Sequence, residues 1–383
     1  MNGRMNGRMN KVGINLLWMV PGVVGGSETY VTRLLSGLVE RSTAFDYTLF
    51  ALPQFKDAHP DLAKTFKTAF APVSGQWKSF RIAGENSWLI RECRRRHIDL
   101  VHHAGGVIPV LRTTRPVLTI HDLQYLYYPE YFTTSKLAYL KRMVPRSAEA
   151  ARLVLTPSEY TRRTVIERLN IDPSIVIVVP HGISPREPET PADGVREVYG
   201  LPERFFLYPA ITYPHKNHLV LLEAFARLRR LKPETMLVFT GAKGSMETRI
   251  ASEIHKLGID ASVKRLGYVP ATHLDAMYRQ AVAMCFPSRF EGFGAPVLEA
   301  MARGCPVIAA NATALPEVVG NAGQLVSPDN AEQWTRAMTA VLEDDSERER
   351  LAKAGIERSR EFNWTRAADL LEDSYRHALE TTL

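Results

Sequence analysis

Residues 283–307 read "AMCFPSRFEGFGAPVLEAMARGCPV", and the reading of this stretch decides the fold. "AMCFPS" is a short apolar run bounded by turn residues, which is the pattern of a buried strand. "RFEGFGA" supplies a glycine-rich turn, and "PVLEAMARG" a helix. Pro296 suits the first helical position, where its missing N–H costs nothing, and Gly304 suits the stop. The strand "PVIAA" then follows. A glycine-rich corner between strand and helix lets a ligand approach the backbone, and free N–H groups at a helix start attract anions.

The same alternation extends in both directions. Before residue 183 the runs "KVGINLLWMV", "YTLFAL", "DLVHHA", "PVLTIHD", "RLVLTPS" and "SIVIVVPHG" read as strands. A helix is expected from about Glu28 to Arg41 with Ser27 as its N-cap, and others in "SWLIRECRRRH" and "SEYTRRTVIERLN". "ISPREPETPADG", rich in proline and acidic residues, reads as a linker. The alternation then restarts with "RFFLYPA", "TMLVFTG" and "VKRLGYV" as strands and "NHLVLLEAFARLRRL" and "THLDAMYRQA" as helices. Continuous apolar strands alternating with amphipathic helices imply parallel sheets covered on both faces. The fold class is α/β, with two doubly wound, Rossmann-like domains whose ligands bind at the carboxyl ends of the strands. The expected division is a disordered extension over 1–10, domains over 11–185 and 186–364, and a final helix over 365–383.

Composition narrows the class of function. The chain of 383 residues is 45% hydrophobic and 23% charged, as in ordinary soluble proteins. Its apolar runs fall far short of the ~20 residues that a membrane span needs, and "MNGRMNGRMNK" lacks the apolar core of a signal peptide. Cys93, Cys285 and Cys305 are scattered, which argues against a disulfide framework or zinc site and suits the cytoplasm. Residues 1–190 hold 25 Lys and Arg against 16 Asp and Glu, so the whole excess of positive charge lies there. That is either a solvated basic face or a surface for an anionic partner. No nucleic-acid motif accompanies the charge.

Glu291 lies in the turn and Glu299 in the first turns of the helix, flanking the phosphate-suited corner. Carboxylates beside a phosphate repel it unless each is engaged elsewhere, and hydroxyl groups are the obvious partners. A nucleotide-sugar offers hydroxyls at both ends and a diphosphate in the middle. A hydrogen bond to a charged group contributes about 1.5–3 kcal/mol.

The Glu-x7-Glu spacing in "EGFGAPVLE" resembles the signature of the retaining glycosyltransferases of family four, which have the GT-B fold. "PGVVGGSETYVTRLL", "HDL" at 121–123, "PSEYTRRTVIERL", "VVPHGI", "PHKNHLVLLEAF" and "EFNW" extend the resemblance over nearly the whole chain. "HDLQYLYYPEYF" and "YPAITYPHKNH" resemble bacterial O-antigen and exopolysaccharide mannosyltransferases that use GDP-mannose. The resemblance implies two domains facing across a cleft, an acceptor-binding N-terminal one and a nucleotide-sugar-binding C-terminal one. The last helix is expected to pack back on the N-terminal domain.

The resemblance also implies roles. Glu291, His121 and Lys216 become catalytic candidates, with Glu291 on donor-sugar hydroxyls and His121 beside the reacting sugar. Glu299 would hold the ribose, and Lys216 with backbone N–H groups of Phe293, Gly294, Ala295, Pro296 and Val297 the diphosphate. The loop containing Gly25 and Gly26 would close over the donor; a tight turn alone also explains its glycines. Many relatives carry an Arg about five residues before the Lys, where this chain has Ile211, so His215 or Arg289 is expected to stand in. No Asp-x-Asp pair occurs, and no catalytic metal or other cofactor is expected.

Two further expectations concern partners and class. On a helix from about Ser135, Leu137, Leu140 and Val144 share one side, with Lys136, Lys141 and Arg142 at its margins. Either this face docks on an anionic membrane, so that a cytoplasmic enzyme extends a lipid-linked glycan, or its apolar residues pack in the core. The alternative function is a GT-B enzyme of other chemistry, a glycoside phosphorylase or a sugar-nucleotide epimerase.

Overall fold

The computed structural model describes residues 8–23, 25–39, 44–111, 113–183 and 194–380. Most of the N-terminal repeat, the end of the helix expected at Arg41 and nearly all of the proline-rich linker lie outside them. The chain forms two compact units, 1–182 with 363–383 and 183–362.

The first unit is built on seven parallel strands: β1 (Lys11–Asn15), β2 (Asp46–Ala51), β3 (Lys67–Phe70), β4 (Leu100–His103), β5 (Pro116–Thr119), β6 (Leu153–Thr156) and β7 (Val176–Val178). Their order across the sheet is β3-β2-β1-β4-β5-β6-β7, so the winding reverses between β1 and β4. Every residue of β4, β5 and β6 is buried, because helices cover both faces. β1 stops at Asn15, although the apolar run continues to Val20. The Asn15 side chain accepts the Leu17 N–H at 3.1 Å and turns the chain out of the sheet.

The helix Gly26–Val39 follows. It begins one residue before Ser27, so Ser27 is inside it and is not the N-cap. The Gly25 carbonyl accepts the Glu28 N–H at 3.0 Å instead. Helix Trp364–Glu380 packs within this unit. A Cβ on Gly37 would lie 2.6 Å from the Trp364 carbonyl oxygen, so only glycine permits this approach of the two helices. Tyr47 donates to Glu372 at 2.9 Å and His102 contacts the Tyr375 hydroxyl at 2.7 Å, so the helix is tied to the strands by buried hydrogen bonds.

The second unit has six parallel strands: β8 (Phe205–Pro209), β9 (Met236–Thr240), β10 (Val263–Arg265), β11 (Ala283–Phe286), β12 (Val307–Ala310) and β13 (Gln324–Val326). Their order is β10-β9-β8-β11-β12-β13, with the reversal between β8 and β11. One continuous apolar core runs from Val195 to Leu351, with Trp334 fully enclosed. Both sheets are therefore doubly wound, as expected. The short outer strands β3 and β13 carry no apolar alternation and were not expected from sequence.

Candidate active site

In a doubly wound sheet the ligand crevice lies at the carboxyl ends of the strands, where the winding reverses. In the second unit that point is formed by the loops after β8 and β11. The first carries Pro214–Lys216, a single 3-10 turn, and the second Arg289 to Gly294. The Arg289 N–H donates to the His215 carbonyl at 2.8 Å. Asn217 donates its amide to the Pro287 carbonyl at 3.2 Å and to the Pro328 carbonyl at 2.6 Å. The two loops are thus one framework before any side chain acts.

Lys216 and Glu291 meet on it. The Lys216 Nζ lies 2.6 Å from Glu291 Oε1, with 17% and 13% of the side chains exposed. The Phe286 ring centroid is 5.4 Å from the same Nζ. The Glu291 N–H is fixed to Thr313 Oγ1 at 3.0 Å. A partly buried ion pair holds both charges in place, and neither is easily removed alone.

Gly294 precedes helix Ala295–Ala302, so Pro296 stands second in the helix and not first. Its φ of 102° is open to glycine, and a Cβ there would sit 2.6 Å from Leu315 Cδ2. Five backbone positions were expected to face a diphosphate, and two of them cannot donate. Pro296 has no N–H, and the Val297 N–H is bonded to the Gly294 carbonyl at 2.9 Å. The Phe293 side chain is buried edge-on to Phe362, with ring centroids 5.8 Å apart. Glu299 Oε2 accepts from the Tyr278 hydroxyl, 3.4 Å away on helix Ala271–Gln280.

Neither substitute for the missing Arg is an uncommitted cation. Burial and the Lys216 charge push His215 down to about 4, so it is neutral at pH 7. Arg289 is paired with Asp329 at 2.7 Å. Lys216 is ion-paired as well, but its partner Glu291 belongs to the glycine turn itself.

Sequence reading missed a neighbouring feature. A cavity of about 480 Å³ opens at the carboxyl ends of β8, β9 and β10, lined by Thr212, Gly241, Lys243, Glu247, Arg265 and Gly267 among others. Gly241 has φ of 118°, and a Cβ would meet the Ala210 carbonyl carbon at 2.7 Å. The signal was present in "FTGAKG", a glycine-rich turn following a strand.

In the first unit, His121 follows β5 and its Nε2 lies 3.0 Å from the Ala104 carbonyl. A carbonyl only accepts, so Nε2 bears the proton and Nδ1 keeps its lone pair. Burial lowers the His121 pKa against the opposing effects of that bond and of Asp122. The ring stands edge-on to Tyr30 with centroids 5.4 Å apart. Gly25 has φ of 65° and Gly26 starts the helix. The loop is held by Glu28, which accepts the Gly22 N–H at 2.8 Å and meets His59 Nε2 at 2.8 Å. Among the described residues no group of three His, Cys, Asp or Glu is arranged to hold a metal ion, and no helix is long and apolar enough to cross a membrane.

Two family descriptions match the chain, Glycosyltransferase Family 4 over residues 24–187 and Glycosyl transferases group 1 over 195–358. A D-inositol 3-phosphate glycosyltransferase of Nocardioides sp. is 31% identical over an alignment covering 93% of this chain and 86% of that protein. The O-antigen chain mannosyltransferase B of Escherichia coli is 29% identical over 76% of each chain. Among solved structures, sucrose-phosphate synthase from Thermosynechococcus elongatus superposes with a TM-score of 0.77 at 20% identity, covering 96% and 98% of the two chains. The fold is GT-B. The chain belongs to the group 1, family-four glycosyltransferases, and it is an enzyme of the retaining class.

Proposed function

We propose that this enzyme transfers mannose from GDP-mannose to a glycan acceptor in O-antigen or exopolysaccharide synthesis. The observation that carries the site reading is the Lys216–Glu291 pair beside the Gly294 turn, at the winding reversal of the second sheet. The mannose assignment is supported by the E. coli relative, a named O-antigen chain mannosyltransferase.

Glycosyl transfer passes through an oxocarbenium-like transition state, with negative charge building on the leaving diphosphate. Lys216 and the N–H groups of Gly294 and Ala295 stabilise that charge from fixed positions. Glu291 accepts hydrogen bonds from the sugar and Glu299 from the ribose, while the cavity at β8–β10 takes the base. His121 and the Gly25–Gly26 turn keep the roles that the resemblance implies.

A screen of GDP-, UDP- and dTDP-sugars by thermal shift tests the donor, since binding stabilises by mass action. GDP-mannose is expected to raise Tm in the wild type and far less in Lys216→Ala. A shift confined to UDP- or dTDP-sugars rules out GDP-mannose.

The acceptor is proposed to be lipid-linked at the inner face of the membrane, with the enzyme cytoplasmic. Leu137, Leu140 and Val144 do not face a bilayer, because they pack on the core of the first unit. Lys136, Lys141 and Arg142 remain exposed, and Trp77 and Phe80 are 64% and 58% exposed. Basic residues contribute about 1 kcal/mol each near an anionic surface. Sedimentation with anionic vesicles should therefore weaken with salt and in the triple Lys136/Lys141/Arg142→Glu variant; protein left in the supernatant at low salt removes the membrane contact. The Nocardioides relative favours a second acceptor, a phosphorylated polyol, and D-inositol 3-phosphate offered beside glycans separates the two.

A further inference from the structure

The first sheet has its own winding reversal, between β1 and β4, and these strands end at Asn15 and His103. A carboxyl group stands at that point. Glu85 Oε1 accepts the Asn15 amide at 2.9 Å. Glu85 opens a π-helical turn, Glu85–Leu89, set between the α-helical segments Lys78–Gly84 and Ile90–Arg96. Such insertions in a helix are frequent at functional sites.

The surroundings orient the carboxyl closely. Asn15 Oδ1 accepts the Leu17 N–H, which aims the Asn15 amide nitrogen at Glu85 and at His103 Nδ1, 3.2 Å away. His103 Nε2 in turn meets Thr113 Oγ1 at 2.9 Å. Burial pushes His103 down to about 3, so it is neutral and accepts at Nδ1 while donating at Nε2. Every member of this chain is satisfied except one. Glu85 Oε2 accepts no hydrogen bond among the described residues, and the residue is only partly buried.

Other groups face the same place. Arg81, on the preceding helical turns, attracts the carboxylate and donates to the Trp18 carbonyl at 2.7 Å. Tyr139, from helix Thr134–Ala150, has its phenol pushed up by burial and by the Glu85 charge. Lys78 stands 4.3 Å from the Tyr139 ring centroid. The half-buried Trp18 indole donates to the Asn15 carbonyl at 3.1 Å. Burial pushes the Glu85 carboxyl up to about 6 against the Asn15 hydrogen bond and Arg81, so it is ionised at pH 7.5. A buried network with one open acceptor, flanked by aromatic rings and an Arg, is a chemical match for a polyhydroxylated ring.

We propose that Glu85 recognises the acceptor, its Oε2 accepting hydrogen bonds from hydroxyl groups of a sugar seated beyond the ends of β1 and β4, beside Trp18 and Tyr139. This rests on the reading of the acceptor as a glycan. Glu85 takes no proton from the reaction here; it binds and orients.

The test uses the full chain and Glu85→Gln, with methyl α-mannoside and N-acetylglucosamine as probes followed by saturation-transfer NMR. GDP-mannose affinity is measured in parallel. The wild type is expected to bind at least one probe at about pH 7.5 and about tenfold more weakly at about pH 5, as the carboxylate is protonated. Glu85→Gln is expected to bind about tenfold more weakly at the higher pH, with no pH dependence and unchanged GDP-mannose affinity. A wild type that binds neither probe, or a Glu85→Gln variant that binds as tightly as wild type, overturns the proposal. If Glu85→Gln does not fold, the wild-type profile decides alone, and pH-independent binding overturns it. Loss of GDP-mannose binding by the wild type is a separate outcome that removes the donor assignment without touching the sugar-probe result.

Discussion

Lys216 and Glu291, 75 positions apart in sequence, form an ion pair of 2.6 Å that joins the loops after β8 and β11. The pair stands where the strand order reverses, so a cation and a carboxylate are held together at the mouth of the crevice. Neither residue waits in a random conformation for its substrate. Orientation fixed beforehand lowers the cost of ordering side chains on binding.

The Gly294 turn is expected to be intolerant of any side chain. Gly294→Ala meets an unfavourable φ and a 2.6 Å approach to Leu315 Cδ2, and should lose about 1–3 kcal/mol in urea unfolding. Adding Leu315→Ala relieves the clash but not the backbone cost, so the double variant should not return to wild-type stability. Wild-type stability in Gly294→Ala would remove the steric account of this turn.

Acid stability should be dominated by histidines. Burial holds His102, His103, His181 and His218 near 3, and burial with the Lys216 charge holds His215 near 4. Their folded values lie below the unfolded value of 6.5, so the unfolded chain binds more protons between the two. Stability is therefore full above pH 6.5 and is lost as pH falls below it, by about 1–2 kcal/mol per histidine near pH 5. Urea midpoints measured across this range should fall steeply; a flat profile would show that these rings are protonated without penalty.

Glu85 should behave in the opposite sense. Its folded pKa of about 6 lies above the ordinary 4.5, so the folded state is penalised above pH 6 and relieved as pH falls toward 4.5. Glu85→Gln should therefore stabilise the protein by about 1–2 kcal/mol at pH 7.5, with the gain fading near pH 4.5. A Tm that drops in Glu85→Gln at pH 7.5 would mark the carboxylate as structural.

The stereochemical outcome should match the family. From GDP-α-mannose the product is expected to be an α-mannoside by NMR, and turnover should survive EDTA. A β-linkage, or activity restored only by an added divalent ion, would be inconsistent with the site described.

Much of this was legible in the primary structure, for local reasons. The strand, glycine turn and helix at 283–304 form from neighbouring residues, so spacing alone located Glu291 and Glu299. Strands β3 and β13 were not legible in the sequence. His102 and His103 look like two polar residues in an apolar strand. Their pleat directions send one to Tyr375 and Thr119 and the other to Asn15 and Thr113, which only the folded chain reveals. Glu85 and Asn15 are 70 residues apart, and no periodicity announces their meeting. The Val297 N–H was misjudged for a simpler reason: the first turn of its helix tightens onto the Gly294 carbonyl.

Calorimetric titration of GDP and GDP-mannose into the wild type, Glu291→Ala and Glu299→Ala tests the division of the site most directly. Glu299→Ala should weaken both ligands by about tenfold, as loss of a charged hydrogen bond implies. Glu291→Ala should bind GDP almost as well as wild type, lose the added affinity of the sugar and have no transfer activity. Equal GDP affinity in wild type and Glu299→Ala, or full transfer by Glu291→Ala, would contradict the account.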